Sequence, residues 1–273
     1  MPGGDGGREV PRSGLARGGA TLCRTGRFQP VAGSSLFSAQ MPLDRLSSRT
    51  LSSGARDGPV TQDEPDCRIY LVVEAAPPAI EHLSAAAKVA DIACCLILPA
   101  TGTPDAATRA RPIVAAAQQA GIAALIAGDA DLARALRADG VHLGPSPQIL
   151  AAYSAARQML GRDAIVGADA GVSRHDAMSL AEAGADYVAF GAPSHLKDRA
   201  RARERRDALL AWWSEIFEVA CVALDVEAAD EAERLAHAGA DFVAVAVPST
   251  PAAATGELIA KIGAAIGANV EAG

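Results

Sequence analysis

Ala138-Asp139-Gly140-Val141-His142-Leu143-Gly144 is followed by two near copies of itself, Ala183-Gly184-Ala185-Asp186-Tyr187-Val188-Ala189-Phe190-Gly191 and Ala238-Gly239-Ala240-Asp241-Phe242-Val243-Ala244-Val245-Ala246. The glycine fits a left-handed stop at the end of a helix, and the aspartate opens the next buried strand. Working outward, short β-branched apolar runs recur at Ile69–Glu74, Ile92–Leu98, Ile122–Ile126, Gly140–Leu143, Ala164–Ala168, Tyr187–Phe190, Val219–Leu224 and Phe242–Ala246. Ala-rich amphipathic stretches near 78–89, 104–120, 129–138, 147–160, 174–184, 207–217, 228–239 and 252–266 separate and follow them. Apolar runs without strict alternation, interleaved with helices, read as parallel strands covered on both faces. Eight such βα units predict a (β/α)8 TIM barrel over residues 67–273, with a doubly wound open sheet as the second choice.

The rest of the chain bounds the function. Its 273 residues are 50% hydrophobic and 21% charged, with mean hydropathy +0.15, which describes a globular protein rather than a disordered one. Residues 1–66 hold 11 of the 26 glycines and many Ser and Arg, with no sustained apolar period, and read as a disordered tail. Met41 as the true start, or an Arg-rich transit segment, are the other readings of that stretch. Apolar runs such as Ile92–Leu98 are much shorter than the roughly 18–20 residues of a membrane-spanning helix, so no membrane partner is expected. A net charge of −7 and a pI near 5.3 give no footprint for nucleic acid, whose binding needs clustered basic excess. The five cysteines have no C-x-x-C spacing and read as reduced core thiols of a cytoplasmic protein. A small-molecule ligand is expected; oligomeric state is not specified by the sequence.

In a barrel the functional groups stand at the C-terminal ends of the strands. That rule picks out Glu74, Leu98-Pro99, Gly128-Asp129, His142-Leu143-Gly144, Asp169, Gly191 with Lys197, Asp225 and Val247-Pro248-Ser249. Carboxylates with one His and one Lys suit metal binding or acid–base chemistry if they converge. Taken singly, Asp129 and Asp169 also suit helix N-caps, and His142 suits a hydrogen-bonded imidazole in the core or mouth. The basic run Lys197–Arg206 reads either as a loop over the mouth that attracts anions or as a solvated connection before a helix at 207–217. Of the adjacent Trp212 and Trp213, at most one can face squarely inward.

The three junctions, in that order, resemble those of the thiamine phosphate synthase family, as do Asp131-Leu132-Ala133, Ser173-Arg174-His175-Asp176-Ala177-Met178 and Leu210-Ala211-Trp212-Trp213. The similarity covers roughly residues 68–266. It implies a (β/α)8 barrel that joins hydroxymethylpyrimidine diphosphate to a thiazole phosphate, releasing pyrophosphate with Mg2+ assistance. It further implies catalytic roles for Lys197 and His142 and substrate binding at Gly144 and Gly191; by their place at strand ends Asp169 joins the catalytic candidates and Asp225 the substrate-binding ones, and Asp129, one position past the family's Asn-Asp pair, is the candidate displaced metal ligand. His142 and Gly144 keep the family's G-x-H-x-G pattern, Gly191 its glycine after strand 6, and Lys197 the lysine that follows.

Other positions depart from it. Leu96-Ile97-Leu98-Pro99-Ala100 replaces a Gln-x-Arg-x-Lys pattern, Ala127-Gly128 an Asn-Asp pair, and Pro145-Ser146-Pro147 a Gln-Glu-Asp. Asp169 replaces a serine, and Asp225-Val226-Glu227 replaces the Gly-Gly-Ile whose bare amides receive phosphate. The tautomerase branch of the superfamily has a histidine where this chain has Gly171. A desolvated carboxylate repels a phosphate by about 4 kcal/mol at about 4 Å with an effective dielectric near 20. Three functions are therefore expected in turn: an enzyme of the thiamine phosphate synthase type, a non-catalytic binding or regulatory barrel for a thiamine-related molecule, and a different reaction on a neutral or cationic substrate.

Overall fold

A computed structural model describes residues 67–99, 105–192, 196–247 and 251–267. The reading of residues 1–66 as a tail lies outside them, as do Ala100, Pro248 and Ser249. Eight strands, β1 (Arg68–Glu74), β2 (Ile92–Leu98), β3 (Ala123–Ala127), β4 (Gly140–Leu143), β5 (Ile165–Asp169), β6 (Tyr187–Phe190), β7 (Ala220–Val226) and β8 (Phe242–Ala246), pair in parallel and in sequence order. β1 also pairs with β8, from Arg68 opposite Phe242 to Val72 opposite Ala246, so the sheet closes into a barrel. The helices are α1 (Ala79–Ala87), α2 (Ala106–Gln119), α3 (Ala130–Leu136), α4 (Ile149–Leu160), α5 (Arg174–Glu182), α6 (Arg199–Ile216), α7 (Ala229–His237) and α8 (Ala252–Ala265). The closed barrel replaces the open sheet considered as the alternative.

The repeated aspartates explain themselves at the bottom of the barrel. Asp139 Oδ2 accepts the N–H of Ala124 at 2.8 Å, Asp186 Oδ2 that of Val166 at 2.7 Å, and Asp241 Oδ2 that of Cys221 at 2.7 Å. Each carboxylate thus satisfies a backbone donor on the strand before it, every second strand around the cylinder. The glycine reading holds at Gly184 and Gly239, whose φ angles are 88° and 92°. It fails in the first junction, where Arg137 takes the left-handed turn at φ 55°. Gly140 instead lies in β4, where an added Cβ would stand 1.9 Å from the carbonyl oxygen of Ile165.

Two cores follow from the alternation of strand side chains. One lies between strands and helices and carries Ile69, Leu71, Ile97, Ile126, Phe190, Leu210 and Trp213. The other fills the inside of the barrel with Tyr70, Cys94, Leu96, Leu125, Ile165, Tyr187, Val222 and Phe242. Trp213 is fully buried and donates its indole N–H to Val219 O at 2.7 Å, whereas Trp212 is half-buried under the Arg174 guanidinium.

The basic run needs a correction. Neither a solvated connection nor a loop, Arg199–Arg206 forms the first half of α6, which starts eight residues earlier than 207. Asp198 caps it by accepting the N–H of Arg201 at 3.1 Å. Three of its arginines pair with acids, Arg199 and Arg203 with Glu227 and the buried Arg206 with Glu231 and Asp207, while Arg201 and Arg205 are exposed and Arg205 donates to Val172 O.

Candidate functional site

The open end of the barrel holds a cavity of about 510 Å3 lined by Val72, Leu96, Leu98, Pro99, Ala127, Gly128, His142, Gly144, Leu224, Asp225, Ala244 and Ala246. Those residues come from β1, β2, β3, β4, β7 and β8 or the turns just after them, as the barrel rule requires. The walls are aliphatic, and His142 and Asp225 are the ionisable side chains among the lining.

His142 stands on the floor, 6% exposed. Register explains its place: it is opposite Ala127 on β3 and Gly167 on β5, and Gly167 is opposite Tyr187 on β6. A Cβ on Gly167 would fall 2.0 Å from Tyr187 Cζ, so the glycine makes room for the tyrosine ring. That ring stacks beside the imidazole, and Tyr187 Oη meets His142 Nδ1 at 2.9 Å and Tyr70 Oη at 2.9 Å. Burial lowers the imidazole to about 4 and pushes both phenols well above their ordinary range. All three groups are therefore neutral near pH 7, a hydrogen-bonded chain running from the cavity floor into the barrel. Sequence reasoning missed both tyrosines. The signal for them was the pairing of Gly167 with an inward Tyr187 on the next strand, legible only once register is fixed.

On the opposite rim, β7 carries a bulge. Ala223 pairs with Val243 and Val226 with Val245, so the two residues Leu224 and Asp225 on β7 stand against the single Ala244 on β8. Asp225 sits in this bulge at φ 60°, a left-handed conformation that Asp tolerates better than most side chains. Its Oδ2 accepts the N–H of Ala192 at 3.0 Å and would lie 2.9 Å from a Cβ on Gly191. The glycine after β6 is thus the space in which the carboxylate rests. Asp169, buried at the end of β5, accepts the N–H of Gly171 at 2.7 Å. Desolvation lifts its carboxyl to about 6, and the nearby Asp225 charge adds to the rise. Asp169 is not an N-cap; Ser173 caps α5 instead.

Asp129 and Lys197 stand apart from this floor. Asp129 is exposed and caps α3 through Leu132 N–H at 2.8 Å, as an N-cap reading of its sequence anticipates. Lys197 is exposed in the turn before α6. His142, Gly144 and Asp225 thus share one cavity, Asp169 and Gly191 flank Asp225, and neither Asp129 nor Lys197 is among the lining.

The donor set does not fit a resident Mg2+. That ion takes near-octahedral oxygen ligands, with one or two carboxylates joined by substrate phosphates and water. One oxygen of Asp129 already holds the α3 cap, and Asp169 and Asp225 each accept a backbone N–H. Among the described residues no group of three or more His, Cys, Asp and Glu is placed to hold a metal ion.

A family model described as thiamine monophosphate synthase matches residues 69–247, from the first residues of β1 to just past β8. The chain belongs to that family. Among relatives, a thiamine-phosphate synthase of Rhodospirillum centenum is 38% identical over 206 residues, covering 70% of this chain and 96% of that protein. One of Erythrobacter litoralis is 43% identical over 143 residues, covering 52% of this chain and 66% of the relative, just under two thirds of its length. Among solved structures, a thiamine phosphate pyrophosphorylase from Pyrococcus furiosus superposes with a TM-score of 0.59 at 19% identity, over 75% of this chain and 97% of that one. At that identity the likeness speaks for the family's barrel alone, the same closed cylinder described above.

Proposed function

We propose that this thiamine-phosphate-synthase-like protein acts in thiamine biosynthesis, and that its barrel mouth receives the heteroaromatic precursors coupled in that pathway. The observation that carries the reading is the mouth itself: a cavity of about 510 Å3 with aliphatic walls and a neutral imidazole at its floor. That size and lining suit a small ring held by its faces with a few polar contacts. Val72, Leu96, Leu98 and Leu224 bury the ring faces and exclude water. His142, fixed by Tyr187, offers a neutral hydrogen-bonding edge. Asp169, at about 6, holds or releases a proton close to neutral pH. In this reading Lys197 meets the departing diphosphate, and Gly144 gives backbone access at the mouth. The names borne by the relatives support the pathway. A cytoplasmic setting belongs to the same proposal, supported by the buried free thiols of Cys94, Cys95 and Cys221.

The test is to mix the protein with hydroxymethylpyrimidine diphosphate and Mg2+, supply the thiazole as its phosphate and separately as its free alcohol, and look for thiamine phosphate or thiamine. Product above a protein-free blank is the expected result. If neither precursor binds by calorimetry and no product forms, the thiamine reading is lost.

A second reading, binding without turnover, is favoured by the end of β2 and the turn after β4. Leu98-Pro99 and Gly144-Pro145-Ser146-Pro147 bring no cationic donor or carboxylate to the mouth for a diphosphate and its metal. Its signature is calorimetric binding of a precursor with no product.

A further inference from the structure

Asp225 raises a question that the pathway reading does not answer, because a carboxylate stands where barrels of this architecture commonly seat an anion. In such folds the loops after the last strands present backbone amides to a phosphate. Here the end of β7 brings its own anion to that rim: Asp225 Oδ2 accepts the N–H of Ala192, in the turn after β6, at 3.0 Å. We propose that Asp225 is a built-in anion that fills this seat, so that the mouth selects a heteroaromatic alcohol or amine over the corresponding phosphate ester.

Three features of the structure place the carboxylate there rather than merely nearby. The β7 bulge and the left-handed φ of 60° turn the side chain into the cavity that it helps to line. Gly191 leaves the space that the carboxylate occupies, since a Cβ there would come within 2.9 Å of Oδ2. The bulge is clamped on both flanks: Arg206 Nη1 donates to Leu224 O at 3.0 Å, and Glu231 Oε2 accepts Glu227 N–H at 3.0 Å. Arg206 and Glu231 are themselves joined at 2.7 Å in the interior. A phosphate entering this rim meets a donor already in use and a negative charge, with Asp169 as a second carboxyl behind it. A neutral hydroxyl or a protonated amine meets an acceptor instead.

The inference rests on the pathway reading for the ring, but not for the seat, and inorganic phosphate alone tests the seat. Wild type, Asp225→Gly and Asp225→Asn are compared by calorimetry and by melting temperature with and without phosphate. Glycine adopts a left-handed φ without strain, and Asn tolerates it while removing the charge, so at least one variant retains the fold. Asp225→Gly is expected to bind phosphate at least about tenfold more tightly than wild type and to melt higher in its presence, with Asp225→Asn between the two. Equal phosphate affinity in wild type and both variants overturns the proposal. So does the absence of phosphate binding in all three, because no seat then exists to be filled. In a second arm, wild type is expected to prefer the hydroxyethylthiazole alcohol to its phosphate ester and Asp225→Gly to reverse the order; a wild-type preference for the ester overturns the selectivity. Binding of neither thiazole, with the phosphate arm as expected, removes the pathway reading and leaves the filled seat standing.

Discussion

His142 and Asp169 pull the stability of the protein in opposite directions over the same pH range. The imidazole falls from 6.5 to about 4, so the unfolded chain takes up a proton first and stability is lost as pH drops from 6.5 toward 4. The carboxyl rises from 3.8 to about 6, so its contribution is present below 3.8 and lost as pH rises through 6. Each amounts to at most about 3 kcal/mol at about 1.4 kcal/mol per pH unit. Between about pH 4 and 6 the two slopes cancel. Asp169→Asn keeps an acceptor for Gly171 N–H and removes a desolvated charge, so it should raise the melting temperature at pH 7 to 8. The same variant should lose stability steadily from pH 6.5 to 4, where wild type stays nearly flat. Melting curves across pH decide this, and a variant that is no more stable than wild type at pH 8 contradicts the buried-charge account. Gly167→Ala is the companion test of the floor. Its Cβ would collide with the Tyr187 ring, and a loss of about 1–3 kcal/mol in urea is expected for such overpacking, together with altered ligand affinity at His142.

At the scale of elements, α6 and the β7 bulge form one unit. Arg206 is 0% exposed, and its guanidinium meets Leu224 O, Asp207 and Glu231. A buried guanidinium is expensive to desolvate, and removing one partner strands the other. Arg206→Ala should therefore cost about 3–5 kcal/mol in urea denaturation, and Glu231→Ala a similar amount. Because the two losses describe one interaction, the double variant should be much less unstable than their sum. Additive losses would show that the pair does not act as a unit. The exposed outer partners matter less: Arg199 and Arg203 meet Glu227 near solvent, where such pairs contribute about 1 kcal/mol or less.

For the whole molecule, closure is the property that places the mouth. A cylinder has no edge strand, and the N–H groups of β1 that pair with β8 are as enclosed as those in the middle of the sheet. Native-state hydrogen exchange should show β1 and β8 amides protected as strongly as those of β2 and β3. Fast exchange confined to β1 and β8 would indicate an open seam and a different mouth.

The sequence by itself determined the order of elements, the parallel sheet and the end of the barrel where chemistry belongs. These are local or periodic properties: apolar runs mark the strands, Gly184 and Gly239 stop their helices at left-handed φ, and the strand ends carry the polar residues. It also singled out His142, Gly144, Gly191 and Asp225, because each falls at a strand end. The tertiary structure alone decided what they touch. The Tyr70–Tyr187–His142 chain needs the register of β1, β4, β5 and β6 together, and the β7 bulge that aims Asp225 at Ala192 changes register within a strand. The basic run lies in α6, where Arg203 and Arg206 meet acids far along the chain, Glu227 in the turn after β7 and Glu231 on α7. Contacts between residues distant in sequence depend on how neighbouring strands slide past one another, and no periodicity within a single strand encodes that offset.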